Sequence, residues 1–182
     1  MIDFDLTDRE SIFLGLPPGG IGAEVGVAWG EFSKIIIANA KPRLMYLIDL
    51  WTHQSVEVTG NDPANSVQEN KDAQYRQVLG WFLTDPGVRV VKDYSVKAAL
   101  NFPDGYFDWV FIDSNHLICY EDIQAYWPKV KPGGYLLGHD YVDGGVGDFI
   151  TVKDDVDRFV AETGLPLLLT DDPIYKCWIL ER

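Results

Sequence analysis

The segment spanning residues 107–141, FDWVFIDSNHLICYEDIQAYWPKVKPGGYLLGHDY, constrains the fold more than any other part of the chain. Its apolar run Trp109-Val110-Phe111-Ile112 stops abruptly on Asp113. A helix-like segment follows, and Lys131-Pro132-Gly133-Gly134 then leads to a second apolar run that stops on His139-Asp140. Short strands that are apolar at consecutive positions are covered on both faces, and two of them joined by a helix read as a β-α-β unit of a parallel sheet. Ligands of open parallel sheets sit beyond the carboxyl ends of the strands. Asp113 and Asp140 both fall at that edge, and His116 lies one short turn past the first. Two carboxylates and an imidazole are therefore expected to share one rim of the sheet.

The flanking sequence extends this pattern into a single domain over residues 1–182, with an N-terminal helical extension (1–19) and a core (20–182). Residues 21–28 and 43–50 are apolar and read as strands one and two, separated by a helix carrying Phe32, Ile35 and Ile36. Residues 50–65 lack a clear period, and a connection of that length usually has a function. Ser66 with Glu69 has the form of a capping box that opens the next helix, as do Thr7 with Glu10 and Thr151 with Asp154. Residues 88–91 form a short third strand. Residues 167–169 and 176–181 are too close for a parallel crossover, so they should pair antiparallel. The expected fold class is α/β, a Rossmann-like doubly wound sheet of seven strands, mostly parallel with an antiparallel last strand.

Charge and composition narrow the partners. A formal charge of −13 argues against the backbone of a nucleic acid and against an anionic membrane surface. Cys119 and Cys177 lie far apart and form no CxxC, so they read as thiols of a reducing compartment. The acidic N-terminus carries no basic segment followed by an apolar core, and no apolar run approaches the ~20 residues of a membrane span. A cytoplasmic protein is expected, whose N-terminal segment either covers one end of the sheet or contacts a partner subunit in a homodimer.

Three turns at the strand ends carry binding signals. Glu24-Val25-Gly26-Val27-Ala28-Trp29-Gly30 joins strand one to the first helix, where glycines let a ligand approach backbone N–H groups at a helix N-terminus. It lacks the GxGxxG spacing of a dinucleotide fold. Asp49, followed by Leu50, lies about 20 residues further on, where an acid can bind ribose hydroxyls; a solvated strand end is the plain alternative. Asp93-Tyr94-Ser95 ends strand three and either flanks a purine or forms an ordinary turn. All three histidines, His53, His116 and His139, follow predicted strands. By strand alternation His139 should point away from Asp140 and act as a support.

Together these motifs resemble class I S-adenosylmethionine-dependent methyltransferases over residues 20–182. Within that class, D-x-x-H, K-P-G-G and G-H-D-Y are similar to the motifs of small-molecule O-methyltransferases, including those acting on sugars. The resemblance implies that Glu24, Gly26, Val27, Gly30, Asp49, Leu50, Asp93, Tyr94, Ser95 and Asp113 surround S-adenosylmethionine, and that Asp113 and Asp140 hold Mg²⁺. It further implies that His116 is the general base for a hydroxyl acceptor. Tyr141 replaces the Asn of catechol-type enzymes, leaving Glu31, His53, Glu57 and Asp143 as candidates for a third ligand. An unperturbed imidazole at His116 would make the rate rise through roughly pH 6.5. Two other classes fit the same residues: a non-catalytic S-adenosylmethionine-binding module, and a metal-dependent hydroxylase or hydrolase built on two carboxylates and a histidine.

Overall fold

The strands are β1 (Ile21–Val25), β2 (Leu44–Asp49), β3 (Val88–Lys92), β4 (Phe107–Ile112), β5 (Val130–Tyr141), β6 (Leu168–Leu169) and β7 (Lys176–Glu181). In this computed structural model, which describes residues 2–142 and 150–182, they form one sheet in the order β3-β2-β1-β4-β5-β7-β6. Strands β1 to β5 pair in parallel, whereas β7 runs antiparallel to both β5 and β6. The expected α/β architecture, with seven strands and an antiparallel pair at the end, is the one observed.

Helices α1 (Glu31–Ala40) and α3 (Gln68–Phe82) cover one face together with a 3₁₀ turn at Ser11–Gly15. Helices α4 (Ser95–Ala99), α5 (Cys119–Tyr126) and α6 (Val152–Thr163) cover the other. The pleat of β4 divides its side chains between the two layers. Trp109 and Phe111 pack with Ile12, Phe13 and Ile36, while Val110 and Ile112 pack with Ile123 and Val156. This two-sided burial is why the strands read as continuous apolar runs. Cys119 and Cys177 are buried free thiols. Among the described residues, no helix is long and apolar enough to cross a membrane.

Local details differ from the sequence reading at the helix starts. Thr7 donates to Asp5 Oδ1 rather than capping a helix, and Asp8 Oδ1 accepts the N–H groups of Glu10 and Ser11 to form the turn instead. Ser66 lies ahead of α3, which begins at Gln68 without a side-chain cap. Thr151 does precede α6, but its hydroxyl is turned to the carbonyl of His116, 2.9 Å away. For Thr7 and Thr151 a turn or tertiary partner replaces the local cap, as short polar side chains readily bond nearby groups outside the helix. The connection at 50–65 is not wholly irregular: it includes one helical turn, α2 (Val56–Thr59).

Candidate functional site

Strand β1 pairs with β2 on one side and β4 on the other, so the chain direction of the connections reverses between β1 and β4. A crevice opens there at the carboxyl ends, as open α/β sheets require. It holds about 860 Å³ of empty space, open to solvent, and is lined by Gly26, Asp49, Leu50, Tyr94, Ser95 and Asp113 among others.

The turn after β1 is held from two directions. Asp49 Oδ2 accepts the N–H groups of Val27 and Ala28, each at 2.9 Å, and its Oδ1 accepts Trp51 N–H at 2.7 Å. Buried Trp51 returns a bond from Nε1 to the Ala28 carbonyl at 2.8 Å. Gly26 has φ +96°, and a Cβ there would lie 2.0 Å from the carbonyl oxygen of Asp113. The first glycine of the motif is thus required for the backbone to pass against the end of β4. Gly30 has φ +80° and sits at the start of α1; a Cβ there would approach Val78 to 2.9 Å. Glycine at this position serves helix packing.

Other predicted residues lie behind the crevice. Glu24 is buried and accepts from Ser33 on α1. Burial pushes its carboxyl up to about 8, against the opposing effect of the Ser33 bond. Val27 and Gly30 shape the turn, and Asp93 accepts Tyr94 N–H and pairs with Lys97. The segment 50–65, with no period in the sequence, forms the outer wall. Gln54 accepts from the Tyr94 hydroxyl, Asn115 donates to Val58 O at 3.0 Å, and Thr52, Val58, Asp62 and Asn65 line the space.

One wall of the crevice continues into a polar cluster. His116 lies between two carboxylates, with Nε2 2.8 Å from Asp140 Oδ2 and Nδ1 3.3 Å from Asp62 Oδ2. Burial alone would lower the imidazole pKa, but the two carboxylates outweigh it and push it up to about 10. Contacts with His116 and His139 hold Asp140 well below the usual carboxylate range despite its burial. Asp113 moves the other way, raised by burial, with the neighbouring Asp140 adding to the effect and His139 opposing it.

His139 corrects the alternation argument. Its Nδ1 lies 3.1 Å from Asp140 Oδ1 and 3.8 Å from Asp113 Oδ1, so it points into the cluster rather than away from it. The cause is a break in β5: Asp140 has φ +57°, and the register against β7 shifts between Gly138 and Tyr141. An irregularity of this kind re-aims side chains that a regular pleat would send to opposite faces. Asp113, His139 and Asp140 each offer a donor atom within 4.8 Å of the others. The other candidates for a third ligand are engaged elsewhere or lie outside this group: Glu31 accepts from Gln77, His53 faces the Ser66 carbonyl, and Glu57 is exposed. Asp143 lies outside the described residues.

Four residues of the site carried no signal in the sequence. Trp51 pins the turn, Asp62 and Asn115 tie the outer wall to the loop after β4, and Arg9 reaches in from the N-terminal segment. The Arg9 guanidinium stacks 3.8 Å above the Phe32 ring and lies 3.6 Å from Asp113 Oδ2. Each meets its partner across a large separation in sequence, so no local spacing could mark it.

Comparison with solved structures finds the same fold in a SAM-dependent methyltransferase from Aquifex aeolicus. The two share 17% identity at a TM-score of 0.64, over 96% of this chain and 89% of the other. Spermidine synthase from Thermotoga maritima aligns at 14% identity and TM-score 0.63, over 97% of this chain and 57% of the other. A Staphylococcus aureus protein provisionally assigned as a caffeoyl-CoA O-methyltransferase aligns at 16% identity and TM-score 0.63, over 89% and 76%. Identities this low establish the fold and nothing finer. No curated protein matches the chain. A family profile described as a methyltransferase domain matches residues 23–141, from the first strand to the end of β5. That span holds every residue of the crevice and of the polar cluster beside it, and by this match the chain belongs to the methyltransferase-domain family.

Proposed function

We propose that this methyltransferase uses S-adenosylmethionine to methylate a hydroxyl group of a small molecule, with assistance from a divalent cation. One observation carries the reading: Asp113 lines the crevice at the β1/β4 reversal and also belongs to the Asp113–His139–Asp140 cluster, so a donor site and a polar acceptor site share a wall. S-adenosylmethionine supplies a methyl group already activated by its sulfonium charge. A divalent cation on Asp113 and Asp140 supplies Lewis acidity that lowers the pKa of an acceptor hydroxyl. The donor set fits such an ion, since hard oxygen ligands converge with one imidazole.

The protein's own part is placement. The turn at Gly26–Ala28, clamped by Asp49 and Trp51, presents fixed backbone to the methionine end of the donor, while Asp49 retains lone-pair capacity for ribose hydroxyls. Tyr94 and Ser95 bound the space for the purine. Holding two reactants in line contributes a large part of the acceleration when the leaving group is already good. His116, held between Asp62 and Asp140, takes the acceptor proton, and the two carboxylates stabilise the imidazolium.

The raised imidazole pKa changes the expected pH profile. Only neutral His116 can accept a proton, so kcat/KM rises with pH as the ring deprotonates, and in the metal-free protein the two carboxylates push the ring pKa up to about 10. NMR titration of the ligand-free protein should find the His116 ring protonated through pH 8. An inflection at 6.5, unchanged in His116→Gln, would remove it as the base. The two-sided carboxylate contact favours a second reading, in which His116 is a fixed cation joining the outer wall to Asp140. His116→Gln would then raise KM without altering the shape of the profile.

Asp62 tests the outer wall separately. Losing one charge-assisted contact costs about 1.5–3 kcal/mol, so Asp62→Ala should weaken S-adenosylmethionine binding by about tenfold or more in calorimetric titration. Hydrogen exchange across residues 54–65 should rise in the same variant. Unchanged affinity with unchanged exchange would show that the wall closes without this contact.

A further inference from the structure

We infer that His139 is itself a metal ligand, so that the centre is a two-carboxylate, one-imidazole set selecting a first-row transition cation over Mg²⁺. The inference rests on the metal-assisted reading above and goes further by naming the third ligand and the class of ion.

The orientation of each group supports it. Asp113 Oδ1 and Asp140 Oδ1 both face His139 Nδ1, at 3.8 and 3.1 Å. Their other oxygens turn outward to separate basic side chains: Asp113 Oδ2 to Arg9 at 3.6 Å, and Asp140 Oδ2 to His116 at 2.8 Å. Each carboxylate thus presents one oxygen to a common centre and has the other braced from behind, as ligating carboxylates generally are. The His139 ring is flanked by Tyr175, with centroids 6.3 Å apart and planes 23° from parallel, which helps fix its orientation. Ligands of a small divalent ion lie about 2.1 Å from it, and three donors within 4.8 Å of one another need only a small contraction to share one. The left-handed backbone at Asp140 is what turns both adjacent side chains inward, and a regular strand could offer only one.

Imidazole is a borderline ligand that suits Fe²⁺, Co²⁺, Ni²⁺ and Zn²⁺ and is accepted by Mn²⁺ in a mixed oxygen–nitrogen set, whereas Mg²⁺ favours oxygen and retains its waters. Replacing an all-oxygen set by one containing a nitrogen therefore shifts selectivity toward the transition series. Arg9 bears on the same centre, because its charge opposes a cation arriving at Asp113. Arg9→Ala should tighten metal binding.

The test measures metal binding directly on the full chain, without turnover. Chelator-treated protein is titrated calorimetrically with Mg²⁺, Mn²⁺ and Co²⁺, and the Mn²⁺ complex is examined by pulsed electron paramagnetic resonance for nitrogen coupling. Mn²⁺ and Co²⁺ should bind at least tenfold tighter than Mg²⁺, with nitrogen coupling in the wild-type complex. His139→Asn should erase both the margin and the coupling while leaving Mg²⁺ affinity within about threefold; His116→Gln should keep the coupling. Mn²⁺ binding without nitrogen coupling in the wild type, or coupling that survives in His139→Asn, overturns the assignment of His139 and leaves the metal-assisted reading in place. Absence of binding by any of these ions overturns both. The wild-type spectrum decides the ligand question even if the variant fails to fold.

Discussion

Replacing Asp140 by alanine is expected to lower kcat/KM by about 10³-fold, while S-adenosylmethionine binds within a few-fold of the wild type. Asp140 is the point where two functions meet, since Oδ1 faces His139 and Oδ2 faces His116. Loss of the carboxylate removes a ligand from the metal cluster and one of the two acids that flank His116. Lewis-acid stabilisation of a developing oxyanion amounts to several kcal/mol, and about 4 kcal/mol corresponds to 10³ in rate. Asp140 is absent from the wall of the donor crevice, which is why cofactor affinity should survive. The titration of His116 gives an independent readout: with Asp140 gone, burial acts against a single remaining carboxylate, and the imidazole pKa should fall from its value near 10. Steady-state kinetics with and without metal, together with calorimetry, check the prediction. Full activity in Asp140→Ala, independent of metal, would eliminate the metal role. A parallel loss of cofactor binding would show instead that the end of β5 holds the donor site together.

Gly26→Ala should have the largest effect on stability. The added methyl would meet the Asp113 carbonyl at 2.0 Å, and the backbone atoms of β4 cannot step aside as a flexible side chain would. The residue also has φ +96°, a region that L side chains rarely adopt. Strain of about 1–3 kcal/mol from the dihedral and a further ~1–3 kcal/mol from the clash predict a fall in Tm of about 10 °C, at 2–4 °C per kcal/mol for a chain of this size. Because relief requires the turn to separate from β4, cofactor binding should be lost even below the new melting point. Thermal unfolding followed by circular dichroism, paired with titration at low temperature, measures both. A variant that melts normally and binds normally would mean that the turn and β4 separate freely, and the crevice described above would not be the donor site.

The alternation of apolar runs and helical segments was enough to specify a seven-stranded doubly wound sheet, because strands buried on both faces leave a continuous signature in the sequence. Placement of Asp49, Asp113 and Asp140 at strand ends followed from the same signal, as each apolar run stops on an acid. The helix caps were less legible: Thr7 and Thr151 bond partners outside the first turn of a helix, and α3 begins past Ser66 with no side-chain cap.

Local order along the chain thus established the architecture, the sheet edge that bears the site, and the acids at that edge. Side-chain direction at that edge came from elsewhere. The left-handed turn at Asp140, set by the pairing of β5 with the distant β7, brought His139 inward against the rule of alternation. Long-range closure likewise supplied Arg9, Trp51 and Asp62, and placed a carboxylate at each ring nitrogen of His116. A hydrophobic period reports which face of an element is buried; which polar atoms then face each other across the sheet edge depends on contacts between segments remote in sequence, and these exist only once the chain has folded.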